Sequence, residues 1–562
     1  MKNATSLLIL LSASGLAQAQ AMPDAGSLLQ QIEKNRPPAL PQKSRQDLQP
    51  APPPLQNLPG VAVTVSGFRF QGNTLIGDAA LQLVVAPFLG RPLSFQELQN
   101  AALAVADAYR QQGWIVRAYL PRQDIDAGIV TIQVVEALFG GARSNDGERS
   151  PARIPLARIG PYVTTAQAVG APLNADALDR ALLIIDDLPG LTAAGNLAAG
   201  ERDNETVLVM KLGDEALFSG DAGIDNTGSR STGAPRATAN LALNSPLQLG
   251  DQAIANLIHS EGSDYARLAY SVPVGSAGWR AGVSGSHLSY RLVADEFDAL
   301  HANGSSSTGG VDASYPLLRS RLSNLFLQLN YDSKRFDNQA NGATNSHYKI
   351  DSWSIGVSGN LFDTWGGGGA NAASLSLMRG KTDLDGSPNQ LADASGPRAG
   401  GDFTKLRYSA SRQQALTDSI ALYAALNGQQ ANKNLDSSEK FYLGGNYGVR
   451  AYPASEAGGS NGQLVNVELR WRTPAGIGVS GFYDWGNVKV NRDNGFAGAA
   501  LVNSYTLKGA GLAVNWTSSF RLNLKATWAR RIGANPNPNL NGSDQDGTLR
   551  NNRFWLQATM PF

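Results

Sequence analysis

The sequence predicts two small α+β modules followed by an all-β transmembrane barrel. Three observations support this fold class. An internal repeat lies before residue 213, apolar and polar residues alternate by twos after residue 217, and charged residues make up only 17% of the chain, against roughly 25% in soluble domains. The apolar residues, 42% of the chain, are therefore dispersed among polar ones, as in a barrel with one face toward lipid and one toward a lumen.

Composition also excludes several classes of protein. The 47 basic and 46 acidic side chains give a net charge of +1, which argues against nucleic-acid binding through bulk positive charge. Cysteine is absent, which excludes disulfides, cysteine-ligated metals and thiol catalysis. The four histidines show no paired ligand spacing of the kind that a zinc site requires. Two Asp-x-Asp-Gly sequences, at 383–386 and 544–547, lack the glutamate that closes a calcium loop, so we expect no metal and no cofactor.

The N-terminal residues predict an exported protein. Lys2, an apolar run at 7–11 and the small residues Ala17 and Ala19 indicate a signal peptide over residues 1–19. Residues 20–35 contain Leu28, Leu29 and Ile32, which share one face of a short amphipathic helix. Residues 36–60 contain eight prolines and predict a stiff linker. The alternative for this region is a disordered tail.

Residues 61–138 and 139–213 are predicted to be two copies of one module. The sequence Gly-x-Pro-Leu-Ser/Asn-x-x-x-Leu begins at Gly90 and again at Gly170. Ser94 and Asn174 are good helix N-caps, and Glu97 completes a capping box with Ser94. Apolar positions then follow at helical spacing in both copies: Leu98, Ala102, Val105 and Tyr109, and Leu178, Leu182 and Ile185. The first copy predicts the order β-α-α-β-β. Open sheet edges in such modules accept an extended chain by β-augmentation, and the alternative is that both modules are spacers.

Residues 217–562 predict the barrel. Apolar residues occupy every second position in 464–472, in 520–528 and around Trp353, and the alternation continues to the last residue, Phe562. Polar segments at 341–346 and 383–401 predict long loops between the strands. No segment is long and apolar enough for a spanning helix. At about ten residues per strand, the length of this region fits fourteen, sixteen or eighteen strands.

Several motifs in this order carry a family resemblance. The modules contain Gly113-Trp114, Leu120-Pro121-Arg122-Gln123, Val135-Glu136 and Asp186-Asp187-Leu188-Pro189-Gly190. The barrel contains Gly448-Val449-Arg450-Ala451-Tyr452 and Phe482-Tyr483-Asp484-Trp485-Gly486. The chain thereby resembles the TpsB transporters of two-partner secretion, the filamentous-haemagglutinin and haemolysin secretion/activation family of the Omp85 superfamily. The resemblance implies two periplasmic POTRA modules and sixteen strands in the outer membrane of a Gram-negative bacterium.

The resemblance also implies a site. Val449, Arg450 and Tyr452 match the motif of the sixth extracellular loop, which in the family folds back into the lumen. Phe482, Asp484 and Gly486 match its partner strand, so Arg450 is expected to pair with Asp484 through a directional, charge-assisted fork. The family has glycine where this chain has Ala451, and a Cβ there would cause strain if the position needs a positive φ. The terminal Phe562 resembles the signal that barrel-assembly machinery reads.

The predicted function is export of one large partner without catalysis or ATP. We expect a TpsA-like exoprotein, whether an adhesin, a haemolysin or a contact-dependent toxin, to dock on the POTRA modules and to cross the lumen of a monomeric barrel unfolded. The resemblance implies that the 20–35 helix plugs the resting pore. Three alternatives stay open: an outer-membrane assembly factor of the same superfamily, a passive porin, and an outer-membrane hydrolase. The Gly-x-Ser-x-Gly sequence at 458–462 precedes a strand, which disfavours a nucleophile elbow.

Overall fold

The computed structural model describes residues 22–33, 62–145, 153–454, 456–539 and 541–562. The predicted signal peptide and the predicted linker lie outside the described residues. Within them, none of the helices has the length and apolarity needed to cross a membrane. A short helix, α1 (Ala25–Ile32), comes first and begins at Asp24, whose side chain accepts a hydrogen bond from the Ser27 amide.

The first module packs two helices on a three-stranded sheet. Its elements are β1 (Ala62–Thr64), β2 (Gly67–Gln71), α2 (Asp78–Val85), β3 (Pro92–Ser94), α3 (Phe95–Gln111), β4 (Val116–Tyr119) and β5 (Ile129–Glu136). The sheet order is β2-β5-β4, with β2 parallel to β5. The predicted capping box between Ser94 and Glu97 is present, and the apolar face of α3 is buried in the module core, as its spacing predicted.

The second module has the same plan. Its elements are β6 (Leu138–Ser144), α4 (Leu156–Ala166), α5 (Ala175–Asp186), β7 (Leu191–Ala199) and β8 (Glu205–Asp214). The sheet order is β6-β8-β7. Asn174 caps α5 by accepting from the Ala177 amide. Backbone bonds from residues 170–173 cover part of β6, so β7 is the more open edge.

The rest of the described chain forms a closed antiparallel barrel of sixteen strands, which confirms the predicted fold class. The strands after the second module are β9 (Phe218–Asp225), β10 (Arg236–Asn244), β11 (Gln252–Ser260), β12 (Ser263–Val274), β13 (Trp279–Arg291), β14 (Asn303–Arg319), β15 (Ser323–Ala340), β16 (Ala343–Asp363), β17 (Gly369–Asp383), β18 (Gly401–Ala415), β19 (Ile420–Ala431), β20 (Phe441–Tyr442), β21 (Gly458–Gly459), β22 (Asn461–Arg472), β23 (Gly478–Lys489), β24 (Ser504–Thr517), β25 (Asn523–Arg531) and β26 (Asn552–Pro561). All belong to the barrel except β20 and β21, which pair as a hairpin inside the connection between β19 and β22. A short helix, α6 (Gln390–Ser395), lies between β17 and β18.

Alternation by twos accounts for the barrel wall. On β22, Leu469 and Trp471 are exposed on the outer face, whereas Asn466 is buried on the lumen side. On β16 and β26 the outer positions are likewise apolar and exposed, including Trp353 and Phe554. Lipid can therefore cover the outer face while polar side chains line the lumen.

Two local predictions are wrong. Residues 341–346 are not a long loop, because Asn341 and Gly342 both have positive φ and close a two-residue hairpin between β15 and β16. The strand predicted at 520–528 begins only at Asn523. Its first residues instead form a turn in which the Arg521 amide donates to the Ser518 carbonyl.

The second module is docked against one end of the barrel wall. Arg319 at the end of β14 makes a two-bond fork with Asp187, at 2.7 Å for each bond. Arg321 binds Asp179 at 2.8 and 2.9 Å, and the Ser245 hydroxyl donates to the Pro189 carbonyl at 2.6 Å. This end of the barrel is therefore the mouth nearest the modules.

Candidate functional site

The connection between β19 and β22 is the sixth loop on the side opposite the modules, and it folds back into the lumen. Its β20–β21 hairpin lies against β22 and β23. Gly448 allows a close approach, because a Cβ there would clash with the Leu443 carbonyl. Val449 and Tyr452 are buried in an apolar cluster with Phe482 and Leu507. The loop motif thus sits inside the barrel.

Arg450 and Asp484 join this loop to the barrel wall. Arg450 Nε donates to Asp484 Oδ2 at 2.9 Å and Nη2 donates to Oδ1 at 2.7 Å. The Arg450 backbone amide also donates to Oδ2, at 3.0 Å. Arg450 is 5% exposed and Asp484 is 0% exposed, so the fork lies in a place with little water, where charge-assisted bonds are strong.

Three further side chains complete what we call the Arg450 cluster: Glu468, Asn466 and Trp555. Arg450 Nη1 donates to Glu468 Oε1 at 2.7 Å. Asn466 Nδ2 donates to Asp484 Oδ1 at 2.7 Å, and Trp555 Nε1 donates to the Arg450 carbonyl at 2.8 Å. The sequence analysis missed all three, although Glu468 and Asn466 occupy lumen-facing positions of a strand that it recognised.

The aromatic residues of the motifs contact arginine side chains, and the glycine of the wall motif makes room for the loop. The Arg450 guanidinium lies 3.4 Å from the centroid of the Phe482 ring, a cation–π contact. The Arg531 guanidinium lies 4.4 Å from the centroid of the Tyr452 ring. A Cβ at Gly486 would lie 2.7 Å from a Leu443 methyl group. Gly486 therefore leaves the space that the returning loop fills.

Ala451 causes no backbone strain, because it is not among the residues with a positive φ. Its side chain points at β24, where a Cβ built on Gly509 would lie 2.7 Å from the Ala451 Cβ. The methyl group of Ala451 is thus accommodated by a glycine on the wall. The condition under which strain was expected is not met here.

The helix α1 lies in the lumen, at the end remote from the modules. It packs against β13, β14, β15 and the turn Ser437–Glu439 of the sixth loop. Leu28 and Leu29 are buried in an apolar cluster with Tyr265, Tyr290 and Phe336, and Ile32 packs at its margin. The Ala25 amide donates to Asn338 Oδ1 at 2.8 Å.

The two ends of α1 each have a carboxylate with a neutral partner. Asp24 Oδ2 accepts from the Ser437 hydroxyl at 2.7 Å, and Glu33 Oε1 accepts from the Tyr265 hydroxyl at 3.0 Å. Asp436, next to Ser437, is half-buried beside Asp24. Burial and the Asp24 charge raise the pKa of Asp436 to about 6.

A second ionic contact holds the sixth loop and was not predicted. We call Glu439, Lys334 and Lys405 the Glu439 cluster. Glu439 Oε1 accepts from Lys334 Nζ at 2.9 Å, Oε2 pairs with Lys405, and the Glu439 carbonyl accepts from Lys405 Nζ at 3.1 Å. Burial opposes ionisation of Glu439, yet the two ammonium groups hold its pKa well below its usual range.

A cavity of about 550 Å³ lies in the lumen beside α1. Glu33, Arg267, Lys334 and Arg407 reach it, and the wall is lined by small hydroxyl side chains such as Ser284, Thr308, Ser354, Ser374 and Ser409. Such a surface offers many weak hydrogen-bonding groups. Among the described residues, no group of three or more acidic or histidine side chains could hold a metal ion.

Two protein-family models match parts of this chain. The family model described as haemolysin secretion/activation protein ShlB/FhaC/HecB matches residues 204–514, and the model of the ShlB-type POTRA domain matches residues 63–137. The heme/hemopexin transporter protein HuxB of Haemophilus influenzae is 28% identical over 100% of this chain and 98% of its own. The outer membrane transporter CdiB of Dickeya dadantii is 26% identical over 74% and 73% of the two chains.

Among solved structures, CdiB of Escherichia coli has a TM-score of 0.70 at 22% identity, over 95% of both chains. CdiB of Acinetobacter baumannii has a TM-score of 0.65 at 18% identity, over 93% of this chain and 94% of its own. At these identities the likeness shows a shared fold.

Proposed function

The chain belongs to the haemolysin secretion/activation family, and on that premise we propose that it binds an exoprotein through its POTRA modules and passes it, unfolded, through the lumen. Members of this family are outer-membrane transporters of two-partner secretion, and so is this chain. Its barrel lies in the outer membrane and its modules in the periplasm. A secreted exoprotein is its partner.

Two segments fill the lumen, the sixth loop and the helix α1, and their different attachment is the main support for this proposal. Buried ion pairs hold the loop, whereas among the described residues none holds the helix. The sixth loop is fixed through the Arg450 and Glu439 clusters. The helix α1 is held by a short apolar stripe, neutral hydrogen bonds and one ion pair, between Glu33 and Arg267, at the 4.0 Å limit of contact. A transporter of unfolded chains needs a removable plug and a wall that keeps its shape, and α1 is suited to be that plug.

The chain between α1 and the first module is long enough for α1 to leave the lumen. Residues 34–60 could span at most about 90 Å when fully extended. We propose that α1 moves out of the lumen on this tether when an exoprotein arrives, and that the cavity wall beside it then faces the passing chain.

We propose β7 as the docking edge for the exoprotein. It is the outer strand of the second module, it pairs with β8 alone among the residues that the structure describes, and most of its residues are exposed. An extended segment could add to it by main-chain hydrogen bonds. Docking there would bring the segment next to the periplasmic mouth, because the same module is bound to the barrel rim through Asp187.

The energy for transport would come from folding of the exoprotein outside the cell, so we propose neither ATP use nor catalysis. The relatives matched are named as transporters. The HuxB match spans the whole chain, so a haem- or hemopexin-handling exoprotein is the first cargo to test, ahead of an adhesin, a haemolysin or a contact-dependent toxin. We also propose that the barrel is a monomer, inserted by assembly machinery that reads Phe562.

The decisive experiment deletes the gene and assays the culture medium together with the outer-membrane protein profile. Loss of one large secreted protein, with other barrels inserted normally, is the expected result. Intact secretion with defective insertion of other barrels would instead support the assembly factor. Complementation by a variant with Pro at Leu197 of β7 should fail to restore secretion, because proline removes an amide donor from the edge. Leu197→Ala, which keeps the backbone amide at this position, is the matched control.

A further inference from the structure

The outer face of β23, β24 and β25 carries unpaired cations at the extracellular edge of the apolar belt. Lys508 on β24 lies opposite Trp485 on β23. Arg530 on β25 lies opposite Ala510, which places it diagonally next to Lys508 on the same face. The next outward pair toward the membrane is Leu512 and Trp528. We call Lys508, Arg530, Trp485 and Trp528 the Lys508 patch.

This level of the barrel is where lipid head groups lie. Trp and Tyr mark the membrane interface, and Lys and Arg side chains just beyond it reach the head groups. Both tryptophans of the patch are at the end of the outward apolar stripe, whose Leu512 is half exposed. The side chains of Lys508 and Arg530 are exposed, so each ends in the head-group layer.

The patch has no carboxylate to neutralise it. The strands β24, β25 and β26 contain no Asp or Glu, and the acids of β22 and β23, Glu468 and Asp484, face the lumen in the Arg450 cluster. Within the described part of the chain, neither Lys508 nor Arg530 makes a salt bridge. The outer wall here therefore presents two adjacent positive charges to the head-group layer.

The opposite side of the barrel also carries outward cations, including Arg335 and Arg379, but two of its lysines lie opposite carboxylates. On β16 and β17, Lys349 lies opposite Asp383 and Lys381 lies opposite Asp351. Lys349 Nζ also binds Asp351 Oδ2 at 2.7 Å. These four residues serve as the reference, because the two lysines lie beside carboxylates.

An apolar groove lies on the outer face of the barrel, from β24 and β25 across β26 and β9 to β10 and β11. It has a volume of about 720 Å³, and its apolar lining includes Val514, Leu524, Ala526, Leu556, Ala558 and Ile224. Ala558 and Ile224 face each other across the seam between β26 and β9. The small side chains leave a depression that an acyl chain can fill.

We propose that the Lys508 patch and this groove bind one phosphorylated lipid of the outer leaflet, with the phosphate on Lys508 and Arg530 and an acyl chain in the groove. In a Gram-negative outer membrane the phosphate-bearing lipid of that leaflet is lipopolysaccharide. This site is independent of the transport route, because it lies on the outside of the wall. A lipid bound there would cross the seam between β26 and β9.

The test measures lipid A binding to the full-length protein in detergent, by native mass spectrometry. Wild type should bind bisphosphorylated lipid A, and K508A/R530A should bind it at least about tenfold more weakly, since each cation near such a head group contributes about a fivefold factor. The reference variant K349A/K381A should bind within about twofold of wild type.

Two further arms use the wild-type protein and do not depend on the variants. Dephosphorylated lipid A should bind much more weakly, whereas equal binding would overturn the assignment of the phosphate. Millimolar inorganic phosphate should not displace lipid A, and displacement would show a free-phosphate site instead. Equal binding by wild type and K508A/R530A, or equal loss in both double variants, would overturn the site. Heat-modifiable migration in gels checks that each barrel is folded.

Discussion

The sixth loop and the helix α1 occupy the same lumen but are held there by different kinds of interaction. The loop places Arg450 between Glu468 and Asp484 and Glu439 between Lys334 and Lys405, and these groups are almost fully buried. The helix buries Leu28 and Leu29 and adds hydrogen bonds from uncharged donors. Removing one partner of a buried ion pair leaves an uncompensated charge, at a cost of about 3–5 kcal/mol. Removing an apolar helix from the lumen exposes apolar surface to water, at a cost of about 2 kcal/mol per leucine, and this step can be reversed. The loop is suited to stay and the helix to leave.

The largest effect is expected from breaking the Arg450 cluster. Asp484→Ala and Arg450→Ala should each abolish secretion while the barrel still inserts, because the remaining charge is stranded in a dry site. The measurement is cargo in the medium together with heat-modifiable migration of the barrel. Asp363→Ala is the matched control, since Asp363 makes a similar fork with Arg412 at a partly exposed site. Wild-type secretion by Arg450→Ala would remove that residue from the mechanism.

A second effect, in the opposite direction, is expected at the helix. Leu29→Asp places a charge among apolar side chains and should displace α1, which raises the single-channel conductance of the protein in planar bilayers severalfold. Gln30→Asp is the control, because Gln30 faces the cavity. An unchanged conductance of the Leu29→Asp protein would mean that α1 does not close the pore.

A smaller effect is expected where the loop touches the wall through Ala451. Gly509→Ala should push the loop away, at a cost of about 1–3 kcal/mol, and reduce the amount of secreted cargo. Ala451→Gly in the same chain should restore secretion, since it removes the methyl group that the new one meets. Failure of this rescue would show that Gly509 matters for another reason.

The smallest expected effect is a pH dependence of the stability with which α1 is bound in the lumen. The pKa of Asp436 is raised to about 6 when α1 is in place and returns toward its ordinary value near 4 when Asp24 leaves. Asp436 thus binds its proton more tightly when α1 is in the lumen, and the stability of that state falls as pH rises through about 6. Tyr348 and Lys440 face the same site, and burial lowers the pKa of the Lys440 ammonium. Closed-pore conductance should be lower at pH 5.5 than at pH 7.5, and Asp436→Asn should remove the difference.

The Arg450–Asp484 pair is implied by the family resemblance, because both residues lie in short motifs with a recognisable order. The sequence does not reveal the Glu439 cluster, since Lys334 and Lys405 lie on separate strands in no motif, and only the barrel's closure brings them to one carboxylate. The turn at Asn341 shows an avoidable error. An Asn-Gly pair between two strands signals a two-residue hairpin, and polar composition alone had suggested a longer loop. The ion pair between Asp187 and Arg319 depends on docking between separately folded units, which local sequence patterns do not encode.

The docking of the second module makes the entrance to the barrel one-sided. Its contacts reach the turns after β10, β12 and β14, through Ser245, Ser276 and Arg319. The turns after β16, β18, β22 and β24 lie on the other half of the rim. An exoprotein held on β7 would therefore enter obliquely, across the floor that the module forms, and would meet the half of the lumen wall that carries Asp484 before it meets the helix α1.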